Sequence, residues 1–415
     1  MKSLRTITCL LAAVLLGNTT ASAAKPLKIY ILAGQSNMEG HAHVRVIDYL
    51  GEDPISAPLL KAMKNSDGSY RKTPNTYISY LTGENGRLNT PNREVVGQLE
   101  IGFGNQGGRN YDEPGEKIGP ELAFGITMQQ ELDQPILIIK TAWGGQSLHT
   151  DYRSPSSGPY VPSADDIERG RFDTAEKQQE LEAKTGLRYR QMIEHVEHVL
   201  GDIKRVVPGY DPAQGYELAG FVWFQGFNDM VGRNVYPSLP ADSDKNQYAK
   251  YSEWMANFIR DVRKDLKAPK LPFVIGVLGV GGPLETTEER YRKQRGQFRA
   301  AMAAPALMPE FKGNVFAVET APFWDMKLDA IDKKRDKLRQ KSYLLRTKNK
   351  DHENADGKMS PEDQRNFLKE YEKTLFTQED LDLETRAKSN AGYHYLGSAK
   401  TYSLIGQAFA EALLP

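Results

Sequence analysis

Five apolar runs punctuate the chain: Leu27–Ala33, Pro135–Thr141, Leu218–Phe224, Leu271–Gly279 and Gly313–Thr320. Each is continuously apolar rather than alternating, the pattern of strands covered by helices on both sheet faces. Longer stretches with helical spacing mostly lie between and after them. Ile118–Leu132 offers Leu122, Ile126 and Met128 for packing, and Tyr189–Val206 carries Met192, Ile193, Val196, Val199, Leu200 and Ile203 at helical intervals. Asn246–Leu266 is a third candidate. Ser398–Leu413 closes the chain, with Ser398 as N-cap and Tyr402, Ile405, Phe409 and Leu413 on one stripe. Strand and helix in alternation predict a parallel sheet with right-handed crossovers. The expected fold is therefore α/β, a three-layer α/β/α arrangement around a five-stranded parallel sheet.

Polar segments interrupt this frame at about His41–Glu116, Asp151–Lys184, Val231–Lys245 and Asp325–Ser389. They read as insertions into one α/β domain spanning 24–415. The last is dense in charge and predicts solvated helices at the edge of the domain. No repeat of solenoid or propeller period is present.

The first residues depart from the frame. Lys2 and Arg5 precede the short apolar run Ile7–Leu16, and Ala21-Ser22-Ala23 supplies small residues for cleavage. This is the pattern of a signal peptide over 1–23 and predicts an exported protein, periplasmic or extracellular. The sole cysteine, Cys9, lies within it, so the mature chain is expected to form no disulfide and no thiolate metal site. The 54 basic and 54 acidic residues balance. Such a balance points to neither nucleic acid nor an anionic membrane as partner.

Candidate chemistry sits where the strands end. Leu27–Gly40 reads LKIYILAGQSNMEG, and Gly34 lets the backbone turn sharply after the strand. Ser36 then falls just past a strand's carboxyl end, where open α/β sheets place their ligands. A serine held there is exposed to a base, as a nucleophile must be. The second run ends in Trp143-Gly144-Gly145-Gln146-Ser147, whose glycines let backbone amides face a developing oxyanion. The third ends in Gln225-Gly226-Phe227-Asn228-Asp229, where the Asn228 side chain is an uncharged donor. Near the chain's end, His394 lies on a loop just before the last helix, a position suited to a base.

These four blocks, in this order, resemble those of the SGNH (GDSL-type) hydrolase superfamily. The form Gly34-Gln35-Ser36-Asn37-Met38 resembles its sialate O-acetylesterase and acetylxylan-esterase branch, as does Gly119-Pro120-Glu121-Leu122-Ala123-Phe124-Gly125. The resemblance covers the five strands and not the insertions. It implies a flavodoxin-like sheet and a metal-independent esterase with no cofactor, acting on acetylated carbohydrate. It implies Ser36 as nucleophile and His394 as base. The Ser36 amide, the Gly145 amide and the Asn228 side chain would form the oxyanion hole, with Gln35, Asn37 and Gln225 as substrate-binding neighbours.

Two departures stand out. The branch often has Gln-Gly-Glu in the third block, and this chain has Gln225-Gly226-Phe227. The family usually places an Asp three residues before the histidine, and that position is Ala391. The expected substitute is Asp325, which follows the fifth strand; Glu319 or a backbone carbonyl of the Asn390–Gly392 loop are the alternatives. The departures also leave open a carbohydrate-binding protein on a degenerate esterase fold, or a lipid or thioester hydrolase of the same superfamily.

Other constellations are weaker. Glu194-His195-Val196-Glu197-His198 spaces its histidines three apart, whereas the helical zinc motif needs four with Glu directly after the first. His41 and His43 are placed to line the pocket. Gly279-Val280-Gly281-Gly282 lacks the Lys-Ser/Thr ending of a phosphate loop. Trp223 reads as core, while a tryptophan at the rim could stack on a sugar.

Overall fold

The apolar runs become neighbours in a single twisted sheet. A computed structural model describes residues 25–83, 92–106, 114–132, 134–232, 235–236, 239–240 and 243–415. The signal-peptide segment 1–23 lies outside the described residues.

The sheet has seven strands: β1 (Leu27–Gly34), β2 (Thr76–Thr82), β3 (Arg93–Gln98), β4 (Ile136–Ala142), β5 (Tyr216–Phe224), β6 (Phe273–Val277) and β7 (Val315–Glu319). Their order is β3-β2-β4-β1-β5-β6-β7. All neighbouring pairs are parallel except β2 and β3, which are antiparallel. The five predicted strands are present and contiguous. The expected count of five is corrected to seven, because β2 and β3 lie inside the segment read as the insertion His41–Glu116. They form one edge of the sheet, and β3 buries only one of its six residues. Selecting continuously apolar runs finds strands covered on both faces and passes over such an edge.

The predicted helices form within a few residues of their expected limits. Those that matter below are α1 (Ser36–Glu39), α2 (Pro120–Leu132), α3 (Leu187–Gly201), α4 (Phe227–Val231), α5 (Ala249–Asp265), α6 (Glu289–Ala303), α7 (Met326–Arg346), α8 (Pro361–Leu375), α9 (Gln378–Ala387) and α10 (Ala399–Glu411). Ser398 caps α10 by accepting from the Thr401 amide, as the sequence suggests. The α6 helix was not expected: its sequence ERYRKQRGQFRAAMA buries side chains only towards its end, at Phe298, Arg299, Ala301 and Met302. The charged segment 325–389 is helical, as α7, α8 and α9. Arg335 joins them, reaching Glu384 at 2.7 Å and also pairing with Glu372.

This topology places the site. β1 lies between β4 and β5, with β2, β3 and β4 on one side of it and β5, β6 and β7 on the other. Such a switch point opens a crevice beyond the carboxyl ends of the strands. The ends of β4, β1 and β5 carry the Gly144-Gly145, Gln35-Ser36 and Gln225–Asn228 blocks.

Candidate active site

β1 ends against β5 so closely that a Cβ on Gly34 would lie 2.1 Å from the Phe224 carbonyl oxygen. Only glycine fits there. Gln35 then caps α1, with Ser36 as its first residue, 8% exposed. The amides at a helix start, here those of Ser36 and Asn37, have no intrahelical partner.

The neighbours of Ser36 hold the turn in place. Gln35 Nε2 donates to Asn228 Oδ1 at 2.9 Å, and Gln35 Oε1 accepts from the Gly226 amide at 3.0 Å. Asn37 Nδ2 donates to the Tyr393 carbonyl at 3.1 Å, while its oxygen accepts from the Tyr402 hydroxyl at 2.8 Å. Gln225 donates to Asp229 at 2.6 Å and accepts from Tyr251 at 3.1 Å. All three amides, expected to bind substrate, are buried and committed to the scaffold. Gln35 and Asn37 tie the Ser36 turn to the third block on one side and to the His394 loop on the other.

Below the turn lies a buried cation. Lys140 Nζ, on β4, donates to the Glu39 carbonyl at 2.8 Å, the Phe103 carbonyl at 2.7 Å and Glu121 Oε2 at 2.8 Å. Burial pushes the Lys140 ammonium down and the Glu121 carboxyl up, and their mutual attraction opposes both shifts.

Gly145 has φ +73°, a left-handed conformation that favours glycine. Its carbonyl accepts from Asn228 Nδ2 at 3.0 Å. Asn228 is half-buried in the first turn of α4 rather than at an exposed tip. An amide nitrogen carries two protons, so this bond leaves the second for another acceptor. The next residue, Asp229, is fully buried. It accepts from the Leu148 amide at 2.8 Å, the Tyr236 hydroxyl at 2.7 Å and His149 Nδ1 at 3.0 Å. Burial alone would raise its carboxyl, but the His149 charge and these donors outweigh it and hold the group below the usual range. Asp229 thus locks the second block to the third. Sequence reading overlooked its partner His149, which carries no motif of its own.

His394 sits in the turn before α10, and its Nδ1 lies 3.1 Å from Asn390 Oδ1. The same Oδ1 accepts from the Ala391 amide at 2.8 Å, which identifies that atom as the oxygen. An amide oxygen cannot donate, so Nδ1 carries the proton and Nε2 keeps its lone pair. His41 stacks on the ring at 3.8 Å and 6°, and its own Nε2 lies 3.4 Å from Glu39 Oε2. Burial, with the nearby charges of His41 and Lys117, pushes the His394 pKa down to about 3.

Asp325 is elsewhere. It caps α7, accepting from the Lys327 and Leu328 amides at 3.1 and 3.2 Å. Its other oxygen takes Tyr49 at 3.0 Å and Lys400 at 2.7 Å. Burial would raise this carboxyl, and Lys400 more than offsets it. The ring nitrogen expected to meet Asp325 meets Asn390 instead. Glu319 is exposed at the end of β7. The available signal was a polar residue four positions before the histidine rather than three.

The other constellations resolve simply. His195 Nε2 is 2.8 Å from Ser79 Oγ in a buried pocket, and burial pushes its pKa down to about 4. Among the described residues, no group of three His, Cys, Asp or Glu is arranged to hold a metal ion, and no helix is long and apolar enough to cross a membrane. Trp143 and Trp223 are core residues, and Trp324 is nearly so.

The structure thus places a serine at a helix start beside β1, a histidine with a fixed tautomer on the loop before α10, and a hydrogen bond from Asn37 to the Tyr393 carbonyl that joins the two segments. A family model described as carbohydrate esterase, sialic acid-specific acetylesterase, matches residues 26–308. Among solved structures, a protein from Arabidopsis thaliana is 19% identical at TM-score 0.35, covering 71% of this chain and 86% of that one. A carbohydrate acetylesterase from Xanthomonas citri is 14% identical at TM-score 0.38, covering 70% and 49%. The structure of NanS is 13% identical at TM-score 0.36, covering 72% and 78%. No curated protein matches the chain.

Proposed function

Since the chain belongs to the carbohydrate esterase family of sialic acid-specific acetylesterases, we propose that it releases acetate from carbohydrate through Ser36 and His394. His394 Nε2 takes the proton of Ser36 Oγ as that oxygen attacks the acetyl carbonyl. The amides of Ser36 and Gly145 and the unspent Asn228 proton bind the oxyanion. His394 then passes the proton to the leaving sugar hydroxyl, leaving an acetyl-Ser36 ester. A water, deprotonated by His394, attacks this ester and acetate departs.

One observation carries the reading: the bond from His394 Nδ1 to Asn390 Oδ1, with the oxygen fixed by the Ala391 amide. A triad with Asn in place of Asp ordinarily fails because the wrong tautomer forms. Here the amide oxygen is held towards the ring, which supports a base on Nε2 without a carboxylate. The pattern of Lys2, Arg5, Ile7–Leu16 and Ala21-Ser22-Ala23 supports export of the mature chain.

The test is acetate release from a chromogenic acetyl ester and from acetylated glycans. Ser36→Ala should abolish it and should lose labelling by a fluorophosphonate probe. Unlabelled, inactive wild-type protein that still binds glycans would instead mean a binding module.

A further inference from the structure

The His394 ring is held at one atom by Asn390 and along one face by His41. A single hydrogen bond at Nδ1 fixes the tautomer but lets the ring tilt about that bond, and tilting moves Nε2. His41 lies flat on the ring, with centroids 3.8 Å apart and planes 6° apart. A parallel ring at van der Waals distance opposes tilting towards it. The Tyr393 ring stands at 71° to His394, 4.4 Å away.

His41 is itself anchored. Its side chain is 11% exposed, and its Nε2 lies 3.4 Å from Glu39 Oε2, an oxygen that also accepts from Asn105 Nδ2 at 3.1 Å. Lys117 Nζ donates to Asn105 Oδ1 at 2.9 Å. The backbone on either side is fixed as well. Gly40 turns at φ +86°, so close to Gly119 that a Cβ would lie 2.1 Å from its Cα. Ala42 and His43 pair with Ile118 and Lys117, and the His43 amide donates to Ser389 Oγ at 2.9 Å, where the chain enters the His394 turn. Ser36 is the first residue of α1 and Glu39 the last, and the Glu39 carbonyl holds Lys140. One helical turn therefore carries the proposed nucleophile at one end and, at the other, the carboxylate that anchors the ring stacked on the base.

We propose that His41, held by Glu39, is a positioning residue for His394, and that this stack supplies the rigidity that a carboxylate in place of Ala391 would give. This rests on the acetylesterase reading, in which His394 is the base. The stack also bears on charge. The groups facing the two rings are Glu39, Lys117, Tyr393 and Tyr402. After burial, the His41 charge is what weighs most against a proton on His394. His41→Phe keeps the flat face and removes that charge, so the His394 pKa should rise.

The experiment follows p-nitrophenyl acetate hydrolysis across pH. His41→Ala should lower kcat about tenfold to a hundredfold, the worth of a misplaced reacting group, with KM within about threefold. His41→Phe should recover kcat to within about threefold of the wild type, while its acid limb of kcat/KM moves up by about half a pH unit or more. Glu39→Ala should match His41→Ala, and the double variant should lose no more than either alone. Unchanged kcat in His41→Ala, a His41→Phe variant as slow as His41→Ala, an unmoved limb or additive losses would overturn the proposal. If the wild type does not hydrolyse the ester, the acetylesterase reading fails, and proton NMR decides the positioning by itself. The hydrogen-bonded His394 Nδ1–H, identified by its absence in His394→Gln, should be resolved in the wild type and in His41→Phe and lost to exchange in His41→Ala. Its absence from the wild type, or its persistence in His41→Ala, would overturn the stack as the support of the ring.

Discussion

The residue that distinguishes this site is Asn390. Its neutral amide holds His394 Nδ1 but supplies no charge to stabilise the imidazolium that the proposed mechanism requires. Asn390→Ala should free the ring and lower kcat by about 10²–10⁴, the usual worth of a positioned acid–base group. Asn390→Asp should keep the orientation and add an opposite charge, which favours the protonated ring. The wild-type His394 is held near 3, so the acid limb of kcat/KM should lie below pH 4. In Asn390→Asp that limb should move up by a unit or more. An unmoved limb in the aspartate variant would remove His394 as the base. The positions of Ser36 after a strand end and of His394 on a loop before a helix were legible in sequence, because such places are restrictive. Asn390 was harder, since a one-residue shift in a turn is decided by backbone geometry. That turn includes Tyr395 and Leu396 at φ +49° and +60°. Asp325 looked suitable by position and proved to be a helix cap.

At the scale of elements, the Lys140–Glu121 pair joins β4, α2 and the end of α1. Lys140→Met would remove one partner and leave Glu121 with an uncompensated buried carboxyl. It should cost about 3–5 kcal/mol in urea unfolding. Adding Glu121→Gln should recover part of that loss, and additive losses in the double variant would contradict the pairing. The sequence revealed β4 as an apolar run but not that Lys140, in its middle, is a structural cation. Charged side chains inside strands look like edges until their partners are placed. The same limit explains the other differences. β3 is an edge strand with little buried surface, and α6 buries its side chains near one end. Elements covered on all sides announce themselves by composition, while elements at the margin depend on tertiary neighbours.

For the whole molecule, His394 and His195 couple stability to pH. Burial is the first cause of both depressed values, about 3 and about 4. The unfolded chain takes up protons on these rings as pH falls through about 6.5, and the folded chain does not. Their contribution is complete above that value and declines as pH falls towards 4 and then 3. At pH 5, unfolding should bind about two more protons from these groups. Calorimetric Tm should therefore drop between pH 7 and 4.5, and a constant or rising Tm would show that the rings are not buried as described. The strand order around β1 has a different consequence, in time rather than in energy. The bond from Asn37 to Tyr393 spans 356 positions. Closing a loop of that length costs on the order of 5 kcal/mol of chain entropy. During synthesis β1 emerges early, yet Asn37 has no Tyr393 carbonyl to bond until the loop before α10 docks from the far end of the chain. On the proposed mechanism, hydrolytic power is therefore the last property the folding chain should acquire. On refolding, helical signal should return before esterase activity, and nascent or incomplete chains should leave esters untouched.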